Sequence, residues 1–177
     1  MLYMFFAPGF EEMEAVGTLD LIRRAEIEVK SVGIGGKVIT GSHGIPVVCD
    51  LEDSELSLAG TSGIVLPGGM PGTLNLEKSE VVRTAIDYCI ERGLFICAIC
   101  AAPSILGRAG LLAGKRFTCF PGFEQLAQGG EYTSARVERD DKLITAKGPG
   151  CTIPFALEII RAVAGDGPAH KVEVNLQ

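Results

Sequence analysis

Residues 95–103 read FICAICAAP, which sets two thiols, Cys97 and Cys100, at C-x-x-C spacing between an apolar run and a string of small residues. Such a pair can be a redox dithiol, half of a metal site, or one reactive nucleophile with an unrelated core cysteine behind it. Geometry separates these. If 95–99 is a strand, three residues span about 10 Å, and an odd spacing turns the two side chains to opposite faces. A disulfide needs Cα atoms within about 7 Å, so Cys97 is expected to be a core thiol. No metal centre is expected, because there is no second C-x-x-C and His43 and His170 are the only imidazoles. Cys100 remains, with Ala98, Ala101 and Ala102 as the small neighbours that a nucleophile on a sharp strand-to-helix turn requires. A helix starting just beyond it would favour the thiolate, with a pKa in the lowered range of about 3.5 to 7.5.

Two other segments offer partners for such a sulfur. LPGGMPG (66–72) follows an apolar run, and its glycines Gly68 and Gly69 allow the backbone to approach a ligand closely and present N–H groups to an oxyanion. PGFEEME (8–14) carries Glu11, Glu12 and Glu14. One of these could reach the same ridge, while the others serve a helix N-terminus. GPG at 148–150 marks a rigid turn before the last helix.

The elements that must position these loops alternate along the chain. Strands are expected at 2–7, 28–34, 62–69 and 95–99, a hairpin at 37–50, and short strands within KRFTCF, RVERD and KLITA. Helices are expected at 11–25, with Met13, Val16, Leu19 and Ile22 as the apolar stripe, at 79–93 with Ser79 as N-cap, at 102–110 and at 151–165, with no further helix after that. Strand and helix alternating in this way predict a mostly parallel sheet covered on both faces, a doubly wound α/β sandwich. Chemistry in such sheets collects beyond the carboxyl ends of the strands.

The 177 residues suffice for one domain, 1–177, with a full core; 47% are hydrophobic and 21% charged. A net charge of −6, with no Lys/Arg run longer than a pair, argues against nucleic acid as a partner. No apolar stretch approaches the ~20 residues of a membrane span, and the start MLYMFFAPGF, which lacks a basic segment, reads as a core strand rather than an export signal. The cysteines, Cys89, Cys97 and Cys119 among them, sit in apolar runs instead of loops, as expected of reduced thiols in a cytoplasmic protein.

The order and spacing of APGFEEMEAVGTLDLIRRA, IVLPGGMPGTLNL, GLFICAICAAPSILGRAGLLAGKRFTCFPG and RVERDDKLITAKGPGCTIPFALEII resemble the ThiJ/PfpI superfamily and, within it, the DJ-1 subfamily with its bacterial members. The resemblance runs from about Leu2 to Ala164. It implies a flavodoxin-like fold, a homodimer and no cofactor. It makes Cys100 the reactive, oxidisable cysteine on the nucleophile elbow, Glu14 its hydrogen-bonded partner, and Gly68 and Gly69 the loop that faces it. It also implies action on small reactive aldehydes such as methylglyoxal, or their adducts, of glyoxalase or deglycase type. The alternative is a peroxide-responsive sensor or chaperone in which Cys100 is oxidised. The sequence departs from the family pattern in four places, one of them the expected lack of the extra C-terminal helix that some members carry. Phe120 stands in TCFPG where a histidine is frequent, which argues against peptidase chemistry, and His43 and Lys147 stand where arginine is frequent.

Overall fold

A computed structural model describes residues 1–176. Its first strand, β1 (Leu2–Phe6), is buried along its whole length. Alternation sends Leu2, Met4 and Phe6 into one core layer and Tyr3 and Phe5 into the other, which is why the run is apolar throughout instead of alternating with polar residues. The same division recurs at β7 (Phe95–Ile99), with Cys97 and Ile99 on one side and Ile96 and Ala98 on the other.

The remaining strands of the main sheet are β2 (Val29–Gly33), β5 (Leu51–Glu52), β6 (Gly63–Leu66), β10 (Val137–Asp140) and β11 (Leu143–Ala146). Their order is β10-β11-β7-β6-β1-β2-β5, and only the edge strand β10 runs antiparallel to its neighbour. The chain winds from β1 outward to β2 in one direction and to β6, β7 and β11 in the other. This is the flavodoxin-like, doubly wound topology anticipated from the sequence, and its winding reverses between β1 and β6. Two small pairs lie apart from the main sheet: the hairpin β3 (Val38–Thr40) with β4 (Pro46–Val48), and β8 (Arg116–Phe117) with β9 (Glu131–Tyr132).

One face of the sheet is covered by α1 (Thr18–Arg24), α5 (Thr152–Ala164) and α6 (Asp166–Val174). The other is covered by α2 (Gly72–Lys78), α3 (Glu80–Arg92) and α4 (Pro103–Arg108). Helix α3 has the ends its sequence specifies: Ser79 Oγ accepts the Val82 N–H at 3.3 Å, and Gly93 closes it at φ +61°.

The helices differ from those expected in three places, and the two-residue strands β5 and β9 were not expected. The helix expected over 11–25 begins as a π-helical turn, Met13–Gly17, before α1. A π turn takes more residues per revolution, so the predicted stripe breaks. Met13 and Val16 are 61% and 42% exposed, while Glu14 is turned fully inside. A helix also follows α5, although none was expected there. Gly165, Gly167 and Pro168 read as a terminator, yet Pro168 falls in the first turn of α6, where a missing N–H is not needed, and Ala169 and Val172 anchor the helix in the core. The third is α2, too short and too mixed to be read as periodic.

Among the described residues, no helix is long and apolar enough to cross a membrane.

Candidate active site

Cys100 directly follows the last residue of β7 and adopts a left-handed backbone conformation, φ +64°. For a residue other than glycine this geometry is strained and persists only where the surroundings impose it. Here the Cys100 N–H donates to the carbonyl oxygen of Ala146 at 2.9 Å, and its own carbonyl accepts the Phe120 N–H at 2.8 Å. Both ends of the elbow are thus tied to neighbouring segments. The left-handed residue also alters the expected facing of the two thiols. Simple alternation would set Cys100 opposite Cys97, but the reversal returns it to the same core layer. Cys97 is fully buried, and burial pushes its thiol pKa strongly up. All six cysteines are free and buried.

Glu14 comes from the π turn after β1. Its N–H donates to Glu11 Oε2 at 2.7 Å, and its Oε2 accepts the Gly68 N–H at 2.8 Å. Its Oε1 is buried with no hydrogen-bond partner among the described residues, while the neighbouring Cys100 thiol works to lower the carboxyl's pKa. The loop after β6 can close over this pair only because it lacks side chains. A Cβ on Gly68 would lie 2.6 Å from Cys100 Cβ and 2.7 Å from Glu14 Oε2. Gly69, at φ +92°, abuts the Glu11 backbone nitrogen. The N–H groups of Ala101 and Gly69 point at the sulfur. That of Gly68 is committed to Glu14, so the donors beside the sulfur are Gly69 and Ala101.

Three loops, leaving β1, β6 and β7, therefore meet beside the point where the winding of the sheet reverses. Glu14, Gly68, Gly69, Cys100 and Ala101 all lie in this one cluster.

The electrostatics correct one expectation. The thiolate predicted from a following helix is not favoured here. Helix α4 starts three residues past the sulfur and has only six residues. Burial, together with the neighbouring Glu14 charge and hydrogen bond, raises the Cys100 pKa well above its ordinary value, although the Ala101 and Gly69 N–H groups pull the other way. Burial likewise pushes Glu14 up to about 7, against the bonds from Cys100 and Gly68 that lower it. The carboxyl thus ionises first, near neutrality, and its charge then holds the remaining proton on the sulfur.

The residues that replace frequent arginines are engaged elsewhere. Glu12 Oε1 accepts the His43 N–H at 2.7 Å, and Oε2 lies 2.8 Å from His43 Nδ1 and 3.2 Å from Ser42 Oγ. Burial works to raise the Glu12 pKa, but these bonds outweigh it and hold the carboxyl down at about 2. The bond to Glu12 raises His43. Ligand atoms of Glu11, Glu12 and His43 lie within 4.8 Å of one another, the grouping among the described residues that could hold a cation. Lys147 Nζ donates to Ser134 Oγ at 2.9 Å. Phe120 is exposed next to the elbow. Two features of the site had no sequence signal: the Ala146 carbonyl that anchors Cys100, and the π turn that rotates Glu14 inward.

Comparison with known proteins assigns the chain to a family. The zebrafish protein "Parkinson disease protein 7 homolog" is 36% identical over 98% of this chain and 94% of its own length. "Glutathione-independent glyoxalase DJR-1.2" of Caenorhabditis elegans is 31% identical over 88% of this chain and 83% of its own. The structure of oxidized DJ-1 from Toxoplasma gondii superposes with a TM-score of 0.95 at 30% identity, over 99% of this chain and 96% of that one. The DJ-1/PfpI family model matches residues 2–162, and the chain belongs to the DJ-1/PfpI family.

Proposed function

We propose that the protein is a cysteine-dependent enzyme acting on small reactive aldehydes, methylglyoxal or its early adducts, by glyoxalase- or deglycase-type chemistry in the cytoplasm. The observation that carries this reading is the Cys100–Glu14 pair, a thiol held protonated beside a fully buried carboxyl of near-neutral pKa, with the Gly69 and Ala101 N–H groups beside the sulfur. The glyoxalase name of the C. elegans relative supports the substrate class.

With Glu14 ionised, its carboxylate takes the thiol proton as Sγ attacks the aldehyde carbon. The C–S bond forms and the carbonyl π pair moves onto oxygen, near the Gly69 and Ala101 donors. Glu14 returns the proton to that oxygen, giving a hemithioacetal. It then removes the proton from the sulfur-bearing carbon and delivers it to the adjacent, formerly ketonic carbon, while the hydroxyl proton passes from the first oxygen to the second, which leaves the thioester of lactate. Water cleaves the C–S bond, releasing lactate and regenerating the thiol. Burial of the pair suits this sequence, because one carboxyl must alternately accept and donate at neutral pH. Cys100→Ser is the test: lactate formation from methylglyoxal, without metal or added thiol, should fall to background, and full retention would overturn the assignment.

The second reading, a peroxide-responsive protein, draws on the same sulfur and on the oxidized form in which the Toxoplasma relative was solved. Each added oxygen comes from one peroxide, which is reduced to water, through sulfenate to sulfinate. Selective gain of two oxygens at Cys100 under mild peroxide, read by mass spectrometry, would favour it. Uniform oxidation of the cysteines would count against it.

A further inference from the structure

We propose that Phe120, braced by Phe123, forms an aromatic wall beside Cys100 that selects carbonyl compounds carrying a flat apolar substituent, aryl 2-oxoaldehydes over methylglyoxal. The substrate class rests on the aldehyde reading above; the wall itself does not.

Of the eight phenylalanines, Phe120 is the one left exposed, at 44%; Phe5, Phe6, Phe10, Phe95, Phe117 and Phe155 are buried and Phe123 is half-buried. Core formation does not account for that ring, since burying it would be worth roughly 1.5–3 kcal/mol. Its place in the fold is set by the nucleophile. The Phe120 N–H donates to the Cys100 carbonyl at 2.8 Å, so the main chain that carries the ring is tied directly to the elbow.

The ring is also held. Phe123 meets it edge-on, with centroids 6.5 Å apart and planes at 77°, across a turn closed by the Phe123 N–H on the Phe120 carbonyl at 3.1 Å. Behind it lies Gly148, where a Cβ would come within 3.1 Å of Phe120 Cδ2. Gly148 follows β11, whose last residue, Ala146, accepts the Cys100 N–H. The ring is therefore bracketed by two segments that are each bonded to the Cys100 main chain. Cys100 itself keeps 9% exposure. A preorganised aromatic edge favours a planar π substituent over a methyl group without further ordering of the site.

The test is the rate of Cys100 S-alkylation by phenacyl bromide relative to bromoacetone, each normalised to its rate with free cysteine. In this step sulfur bonds to the methylene carbon, the C–Br bond breaks, bromide leaves and the thiol proton passes to Glu14 or solvent. Peptide mass spectrometry identifies the site. The native protein should prefer the aryl reagent by about fivefold or more, Phe120→Ala should lose the preference, and Phe120→Leu, which keeps apolar volume without the π face, should fall between. The ratio of kcat/KM for phenylglyoxal to that for methylglyoxal should move in parallel. A native alkylation ratio equal to that of free cysteine, or one unchanged in folded Phe120→Ala or Phe120→Leu, overturns the wall. If neither aldehyde is consumed above the Cys100→Ser background, the aldehyde reading fails, and the alkylation ratio still decides the wall.

Discussion

The Gly68 N–H donates to Glu14 Oε2 at 2.8 Å and so holds the fully buried carboxyl beside Cys100. A loop glycine thus orients the carboxyl as well as making room for it. Gly68→Ala would drive a methyl group against both Cys100 Cβ and Glu14 Oε2. It should cost about 1–3 kcal/mol of stability by overpacking and a larger share of aldehyde turnover, measured by denaturant unfolding beside kcat/KM.

Glu14→Gln removes the proton acceptor while keeping the side chain's volume. Turnover should fall by about 10²- to 10⁴-fold. The Cys100 alkylation profile should shift to lower pH, because the charge that holds the proton on sulfur is gone. An unchanged alkylation profile would show that the two groups do not share a proton.

Burial of Glu14 also predicts the sign of a stability profile. Its pKa rises from an ordinary 4.5 unfolded to about 7 folded, so between these values the folded state binds more protons. Stability should therefore decline as pH rises from 4.5 to about 7, by up to about 3 kcal/mol from this group, and Glu14→Gln should flatten that slope. Glu12 acts in the opposite sense. Its carboxyl is held at about 2, so its contribution is present above 4.5 and lost as pH falls toward 2. Urea titrations from pH 3 to 8 on the native protein and the Glu14→Gln and Glu12→Gln variants separate the two.

A homodimer, implied by the family resemblance, would use the apolar surface that the π turn leaves exposed. Met13 and Val16 stand out from it, and the hairpin carrying exposed Ile45 and Val48 is bonded to the preceding loop through the Ser42 N–H and the Phe10 carbonyl at 2.8 Å. Val16→Glu should convert a dimer to a monomer in light scattering while leaving the far-ultraviolet circular dichroism intact. A native protein that is monomeric at micromolar concentration would contradict the proposal.

Most of the sheet was legible because its strands are buried on both faces and read as unbroken apolar runs, as LYMFF and FICAI do. The sharp turn at Cys100 was legible for a related reason, since the small residues around it mark a crowded backbone. The thiol's ionisation was not. A helix N-terminus suggests a thiolate, but burial beside a carboxyl dominates, and burial depends on which loops converge in space. The facing of Cys97 and Cys100 was misread because alternation assumes that the strand continues, whereas a single left-handed residue ends it. Helix α6 was hidden by a glycine and a proline that elsewhere would mark a stop.

The π turn at Met13–Gly17 makes the position of Glu14 a matter of phase. Each residue of an ordinary helix advances the side-chain direction by about 100°, so the surplus residue is what sets the carboxyl toward the sulfur and its apolar neighbours toward the outside. Shortening this turn by a single residue would leave every functional group chemically present and the sheet untouched, yet point the carboxyl away from its thiol. At this site, register governs the pairing of carboxyl and thiol as strictly as residue type does.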